Sequence, residues 1–144
     1  MGENSGMRMV GHNGTGEGRA VLIVEDSENN AATLEIALFG IPGLSILLAS
    51  SAMEALNILH RPGPEVGAIV TDLNMPRMDG FEMIRRIRED RALSGTPIVV
   101  VSADADPGTP ERIAQLGVSA FFPKPFSPAQ VRRKLEQILN GRTQ

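Results

Sequence analysis

The chain contains no cysteine, tryptophan or tyrosine, and its 144 residues include only five phenylalanines. The lack of cysteine excludes disulfides, thiolate catalysis and cysteine-based metal sites. The scarcity of aromatic rings argues against a surface on which nucleic-acid bases stack. The formal net charge of −3 also lacks the excess of Lys and Arg that a phosphate backbone requires. We therefore expect no nucleic-acid partner.

The sequence also has no long apolar run. Its apolar runs fall far short of the about 20 residues that cross a membrane, and no charged-then-apolar leader opens it. We therefore expect a cytoplasmic protein with no membrane contact. The length of 144 residues suits one domain of ordinary size. We assign residues 1–18 to a disordered Gly-rich arm or linker, 19–141 to one folded domain and 142–144 to a C-terminal tail.

Short apolar runs alternate with amphipathic segments throughout this domain. Runs bounded by turn signals predict strands buried on both faces of a parallel sheet; they cover 20–24, 44–49, 68–70, 97–102 and 120–122. A helix is predicted after each strand, and Arg85, Arg86 and Arg88 form the solvated face of the third. Because crossovers of this length form right-handed βαβ units, we predict an α/β fold. Its natural form is a doubly wound five-stranded parallel sheet in the order 2-1-3-4-5.

Polar side chains follow four of the five predicted strands. Glu25 and Asp26 follow the first, Asp72 follows the third, Ser102 ends the fourth, and Lys124 comes after the fifth. Each of them alone has an ordinary explanation, such as a helix cap or a solvated charge. Parallel strands, however, present their carboxyl ends to one edge of the sheet, so these side chains should meet there.

Such a meeting of side chains predicts a particular chemistry. Three carboxylates repel one another in a partly buried site and become tolerable around a hard divalent cation, which indicates Mg²⁺. A carboxylate beside Mg²⁺ and an ammonium is suited to attack on phosphorus, which forms an aspartyl phosphate. Lys124 and the metal would neutralise charge on the phosphoryl oxygens, and Ser102 would donate a hydrogen bond to one of them.

Four motifs carry these residues in order along the chain. They are Glu25-Asp26, the run Asp-Leu-Asn-Met-Pro-Arg-Met-Asp-Gly over 72–80, Ser102-Ala103, and Lys124-Pro125-Phe126. From about Arg19 to Gly141 the chain resembles a response regulator receiver domain, the CheY-like, flavodoxin-like module of two-component signalling. The resemblance implies that Asp72 is the phosphoacceptor and that Asp26 binds Mg²⁺ directly. It further implies that Glu25 helps mainly through water and that Asn74 offers its backbone carbonyl.

The resemblance also assigns the residues that respond to the phosphate. Lys124 would contact the phosphate, with the Lys124–Pro125 peptide in the cis form that proline permits. Ser102 and Phe121 match the switch pair of the family, in which the hydroxyl moves to the phosphate and the ring moves inward. The neighbouring residues of the implied site are Ala103, Asp104 and Pro125.

Three features depart from the usual pattern of that family. Glu25 stands where Asp is more common, and Phe121 lacks a hydroxyl, so its ring has no polar reason to remain exposed. The segment 106–110 places two prolines and a glycine where the fourth helix normally begins. We expect that helix to start late and the loop before it to be mobile.

The resemblance implies a phospho-accepting signalling module that catalyses only its own phosphorylation and dephosphorylation. A histidine kinase or phosphotransfer protein would be the donor and a downstream protein the target, and we expect a monomer or weak dimer. Alternatives are a receiver cut from a hybrid histidine kinase and a non-switching scaffold receiver. A phosphatase of the haloacid dehalogenase type would require a second acid at Asn74. A flavodoxin-like cofactor binder would require a Gly-rich loop where Glu25 and Asp26 stand.

Overall fold

The computed structural model describes residues 20–141, so the predicted arm over 1–18 and tail over 142–144 lie outside the described part. Five strands and five helices alternate along these described residues. In chain order they are β1 (Ala20–Val24), α1 (Glu28–Leu38), β2 (Ser45–Ala49), α2 (Ala52–His60), β3 (Val66–Thr71), α3 (Gly80–Glu89), β4 (Ile98–Ser102), α4 (Thr109–Gln115), β5 (Ala120–Pro123) and α5 (Pro128–Gly141). None of these helices has both the length and the apolar character needed to cross a bilayer.

The five strands form one parallel sheet, and its order β2-β1-β3-β4-β5 confirms the predicted topology. The register aligns the carboxyl ends of the strands at one edge. Val24 of β1 lies beside Ala49 of β2 and Thr71 of β3. On the other side of β3, Ser102 of β4 lies beside Pro123 of β5. The residues that directly follow the strand ends therefore lie at the same edge of the sheet.

Helices cover both faces of the sheet, which is why its strands are apolar on both sides. The helices α2, α3 and α4 cover one face, where the core includes Leu22, Leu56, Ile84, Ile87 and Ile113. The helices α1 and α5 cover the other face, where the core includes Ile23, Leu34, Leu38, Val131 and Leu135. Successive residues of β1 thus point into opposite halves of the core.

Side-chain caps fix the starts of α1, α2 and α3. Ser27, Ser51 and Asp79 each accept a hydrogen bond from the backbone N–H three residues on, at 2.9 to 3.3 Å. Each cap of this kind contributes about 1 kcal/mol. Ser27 therefore caps α1, so Asp26 is not needed for that role. The fourth helix begins at Thr109, so Pro110 lies in its first turn, where no N–H is needed.

Arg88 does not belong to the predicted solvated face of α3. Arg85 and Arg86 are exposed and pair with Glu82, as expected of that face. The prediction is wrong for Arg88, which is half-buried and donates to four backbone carbonyls. Its long side chain reaches carbonyls in two neighbouring loops.

Candidate functional site

The acidic residues predicted at the strand ends do meet at one edge of the sheet. One carboxylate oxygen from each of Glu25, Asp26 and Asp72 lies within 4.8 Å of the other two. Glu25 and Asp72 are buried, at 4% and 6% exposure, whereas Asp26 is exposed. Mutual repulsion in such a cluster is strong unless a cation is near.

Lys124 provides a positive charge within this cluster. Its Nζ donates to Asp72 Oδ2 at 3.0 Å and to Glu25 Oε1 at 3.1 Å, and its side chain is 16% exposed. Burial acts to lower the pKa of Lys124, but the hydrogen bonds to Asp72 and Glu25 outweigh it and raise that pKa above its ordinary value. Burial likewise raises the pKa of Glu25, although the hydrogen bond from Lys124 opposes the change. One ammonium thus faces three carboxylates, and the site keeps an excess of negative charge.

The Asp72 carboxylate is oriented by the backbone that follows it. Its Oδ1 accepts hydrogen bonds from the N–H of Leu73 at 2.6 Å and from the N–H of Asn74 at 3.2 Å. Two backbone donors therefore hold one oxygen, and Lys124 holds the other. This arrangement fixes the direction of the carboxylate and leaves little freedom to rotate.

Gly80 allows the loop after β3 to close over the strand end. A Cβ at this position would lie 2.3 Å from the backbone oxygen of Asp72 and 2.7 Å from the Cα of Leu73. Its N–H also donates to the Leu73 carbonyl at 2.8 Å. Only glycine permits this close approach, which explains the Asp-Gly step at the start of α3.

Comparison with known proteins decides the family. A family model described as "Response regulator receiver domain" matches residues 21–136. The chain belongs to that family. A response regulator receiver protein from Pseudomonas putida is 30% identical, with a TM-score of 0.77 over 83% of this chain and 97% of that one. The receiver domain of a histidine kinase from Syntrophus aciditrophicus is 27% identical, with a TM-score of 0.75 over 85% of this chain and 90% of that one.

A curated relative points the same way. A chemotaxis protein CheY homolog from Campylobacter jejuni is 28% identical over 119 residues, which cover 83% of this chain and 91% of the relative. The predicted CheY-like, flavodoxin-like fold is thus confirmed by both the strand order and these similar proteins. The chain is a receiver domain of the response regulator type found in two-component signalling.

The two residues of the expected switch pair lie on adjacent strands of this receiver domain. Ser102 is fully buried, and its Oγ accepts from the backbone N–H of Asp104 at 3.2 Å and from Asn74 Nδ2 at 3.5 Å. Phe121 is half-buried and packs against the core cluster that contains Ile113. Its ring therefore already has much of the burial expected of a phenylalanine without a hydroxyl.

The remaining predicted residues lie around the same edge. The Lys124–Pro125 peptide is cis, as the resemblance implies. Ala103 is exposed, and the Asp104 carboxylate accepts hydrogen bonds within its own loop rather than from Lys124. The mobility expected for this loop stays a prediction.

Sequence reasoning did not find two residues that hold α4, one beside the site and one at the opposite edge of the sheet. Thr109 is 1% exposed, and its hydroxyl donates to Asp104 Oδ1 at 2.8 Å. Arg88 contacts the end of α4 from α3. A threonine next to Pro110 was a signal for the former, since Thr is common at helix starts. No sequence signal distinguishes Arg88 from its exposed neighbours.

Proposed function

We propose that this receiver domain accepts a phosphoryl group on Asp72 from a histidine kinase or phosphotransfer protein, with Mg²⁺ held by the acidic cluster. The observation that supports this most strongly is the contact of Asp72 Oδ2 with Lys124 Nζ at 3.0 Å, beside two further carboxylates. The domain would then act as a signalling module and not as an enzyme on an external substrate.

The residues of the cluster suit Mg²⁺. They offer oxygen ligands only, which a hard cation prefers, and their charge exceeds that of the single ammonium. Both carboxylate oxygens of Glu25 have partners within the protein, since Oε1 meets Lys124 and Oε2 accepts from the N–H of Ser27 at 3.2 Å. Asp26 is exposed. Exposure therefore favours Asp26 as a direct ligand. Both oxygens of Asp72 also have partners, so its role as a ligand, like those of the Asn74 carbonyl and of Glu25 through water, rests on the resemblance to the family.

Phosphoryl transfer requires positioning and charge neutralisation more than covalent help from the protein. An oxygen of Asp72 forms the new bond to phosphorus as the bond between phosphorus and the donor's leaving group breaks. Lys124 can turn its ammonium from the free carboxylate to an equatorial phosphoryl oxygen. Bound Mg²⁺ supplies the rest of the neutralisation.

The proposed readout begins at Ser102. A phosphoryl group on Asp72 carries up to about two negative charges in place of the one on the carboxylate, and it brings three strong acceptor oxygens. Ser102 Oγ accepts from the Asp104 N–H and keeps its own proton for donation, so a movement of the hydroxyl toward the phosphate would carry the Asp104 loop with it. Phe121 then has room to move further inward. The phosphate would shift an equilibrium that already exists in the unmodified domain.

Intact mass after incubation with a small phosphodonor tests the acceptor. Acetyl phosphate or phosphoramidate with Mg²⁺ should add one phosphoryl group, and Asp72→Asn should abolish this addition. Asp90→Asn, at the far end of α3, is the matched control and should be labelled like the wild type. Equal labelling of Asp72→Asn would overturn the assignment.

Titration calorimetry tests the metal ligand. Asp26→Asn should weaken Mg²⁺ binding much more than Asp79→Asn does. Asp79→Asn is a fair control because Asn caps a helix as well as Asp does, so α3 keeps its start. The same loss of affinity in both variants would contradict the proposed site.

Amide spectra with the phosphoryl mimic beryllofluoride test the readout. The largest changes should fall in residues 103–122 and in α5. Changes confined to the immediate neighbours of Asp72 would instead favour the alternative of a non-switching scaffold receiver. A receiver cut from a hybrid histidine kinase would give the same spectra, so the origin of the chain does not affect this test.

A further inference from the structure

The helix α4 depends on contacts at its two ends for its position. It spans only seven residues, Thr109–Gln115, and a helix of this length is not stable alone. Only Thr109 and Ile113 within it are buried. Arg112 lies over the ring of Phe81, with 3.7 Å between its Cζ and the ring centroid, but this contact is at the surface. Ile113 anchors the middle of the helix in the core, and the restraints at the two ends then decide how the helix is oriented about it.

The C-terminal end of α4 is held by the Arg88 guanidinium. Its Nε donates to the Leu116 carbonyl at 2.7 Å and its Nη2 donates to the Gly117 carbonyl at 3.1 Å. Its Nη1 donates to the carbonyls of Ser94 and Thr96 at 2.9 and 2.8 Å. Carbonyls at a helix C-terminus lack partners within the helix and attract positive charge. Arg88 thus joins α3, the loop before β4 and the end of α4 through charged hydrogen bonds.

The N-terminal end of α4 is held by a hydrogen-bonded chain that leads to the site. The hydroxyl of Thr109 donates to Asp104 Oδ1 at 2.8 Å. The backbone N–H of Asp104 donates to Ser102 Oγ at 3.2 Å. All three residues lie on the single connection between β4 and the first turn of α4. A movement of Ser102 therefore acts directly on the residue that holds this end of the helix.

We propose that α4 is a hinged helix, fixed at its C-terminal end by Arg88 and releasable at its N-terminal end through Thr109 and Asp104. Arg88 and Thr109 are positioning residues in this arrangement. Charge-assisted hydrogen bonds are about twice as strong as neutral ones, and Arg88 makes four of them to parts of the chain outside the β4–α4 loop. Displacement of Ser102 then rotates the first turn of α4 while its last turn stays against α3. The displacement rests on the proposed function, but the unequal restraint of the two ends does not.

Amide-proton exchange measured by NMR, without metal or phosphodonor, tests the unequal restraint. In the wild type, the Arg112 amide at the first turn should exchange faster than the amides of Leu116 and Gly117 at the last. Thr109→Val should accelerate exchange at the first turn by about threefold to tenfold, the loss expected for one hydrogen bond, and should leave the last turn unchanged. Thr109→Ser keeps the hydroxyl and should restore the wild-type rate.

The complementary variant is Arg88→Lys, because a lysine cannot direct donors at four carbonyls. It should accelerate exchange at Leu116 and Gly117 and leave the first turn unchanged. Arg86→Lys, on the exposed face of the same helix, is the matched control and should change neither end. If Arg88→Lys does not fold, the wild-type exchange rates at the two ends of α4 alone decide whether the ends are unequally restrained. Equal exchange at the two ends, or equal acceleration of both ends by either variant, overturns the hinge.

A further measurement with beryllofluoride and Mg²⁺ separates the two proposals. Exchange at the first turn of α4 should change, whereas exchange at Leu116 and Gly117 should stay the same. If beryllofluoride changes exchange at neither end of α4, while the two ends exchange at unequal rates in the unbound protein, the result would contradict the proposed readout and support the hinge. A response of equal size at both ends would contradict the hinge alone.

Discussion

Replacing Lys124 by methionine should strongly lower the unfolding free energy of the metal-free protein, although the shape of the side chain changes little. Lys124→Met keeps the length of the side chain and removes the ammonium between Asp72 and Glu25. Breaking a buried ion pair by removing one partner costs about 3–5 kcal/mol. Asp26 and 16% of the Lys124 side chain are open to water, which places the expected loss at the lower end, about 3 kcal/mol. For a domain of this size the melting temperature should fall by roughly 10 °C.

The loss should depend on pH. Burial already raises the pKa of Glu25, and the hydrogen bond from Lys124 opposes that rise. Without Lys124 the pKa of Glu25 in the folded state should therefore be higher still. An acid whose pKa is raised by folding favours the folded state as the pH falls, so the variant should recover stability in mild acid relative to the wild type.

Thermal melts of Lys124→Met and Lys134→Met, with and without Mg²⁺, provide the assay. Lys134 is the other lysine of the chain and lies on α5, away from the acidic cluster. A bound ligand at 100 times its Kd stabilises by about 2.7 kcal/mol. Because no ammonium competes for the carboxylates in Lys124→Met, Mg²⁺ should stabilise this variant more than the wild type. The reasoning fails if the two lysine variants lose the same stability, or if Mg²⁺ stabilises both by the same amount.

Three other substitutions test the geometry and the charges. Gly80→Ala places a Cβ against backbone atoms at the end of β3 and should lower the stability measured in thermal melts by about 3 kcal/mol. Gly95→Ala should be nearly neutral, because a Cβ there would have no atom within 4 Å. Equal effects of the two substitutions would refute the close approach at Gly80. Glu25→Gln should raise the unfolding free energy of the metal-free protein at neutral pH. The gain should disappear below pH 4.5, where Glu25 is protonated in both the folded and the unfolded state. A gain in urea titrations that does not change with pH would contradict this. Both ring nitrogens of His60 face acceptors, a backbone carbonyl at 2.8 Å and the Asp90 carboxylate at 2.7 Å. NMR titration should thus give His60 a pKa above 6.5, due mainly to Asp90, and Asp90→Asn should lower it; a wild-type value at or below 6.5 would refute the assignment.

The strands were open to prediction because burial on both faces gives each strand a short, largely apolar sequence. Their order cannot be read from these runs and was taken from the usual form of a five-stranded doubly wound sheet. Predicted and observed bounds agree to within one residue for β1, β2, β4 and β5. For β3 the prediction began at Ala68, whereas the strand begins at Val66. Gly67 suggests a strand boundary in the sequence, but it is buried inside the paired sheet, where a missing side chain is tolerated.

The acidic site was predictable for a different reason. Its members follow strand ends, and parallel topology alone brings those ends together. The positions of Arg88 and Thr109 were not predictable in this way. Their partners are backbone carbonyls and a loop carboxylate, and no periodicity in the sequence specifies which loops pass near a long side chain. The residues that hold the two ends of α4 are thus harder to predict than the residues of the acidic cluster.

The charge of the site connects its chemistry to the stability of the fold. Three carboxylates meet one ammonium, and two of those carboxylates are buried. A phosphoryl group on Asp72 carries up to about two negative charges and replaces the single charge of the carboxylate, so it would add about one more negative charge at the same place. The described residues offer Lys124 and two backbone N–H groups against this total. Without a cation the phosphorylated form would carry more uncompensated charge than the free form, so the proposed metal binding and phosphorylation would favour each other. The same excess of charge destabilises the metal-free fold, and it is tolerated because the cluster lies at an edge of the sheet where Asp26 is open to water.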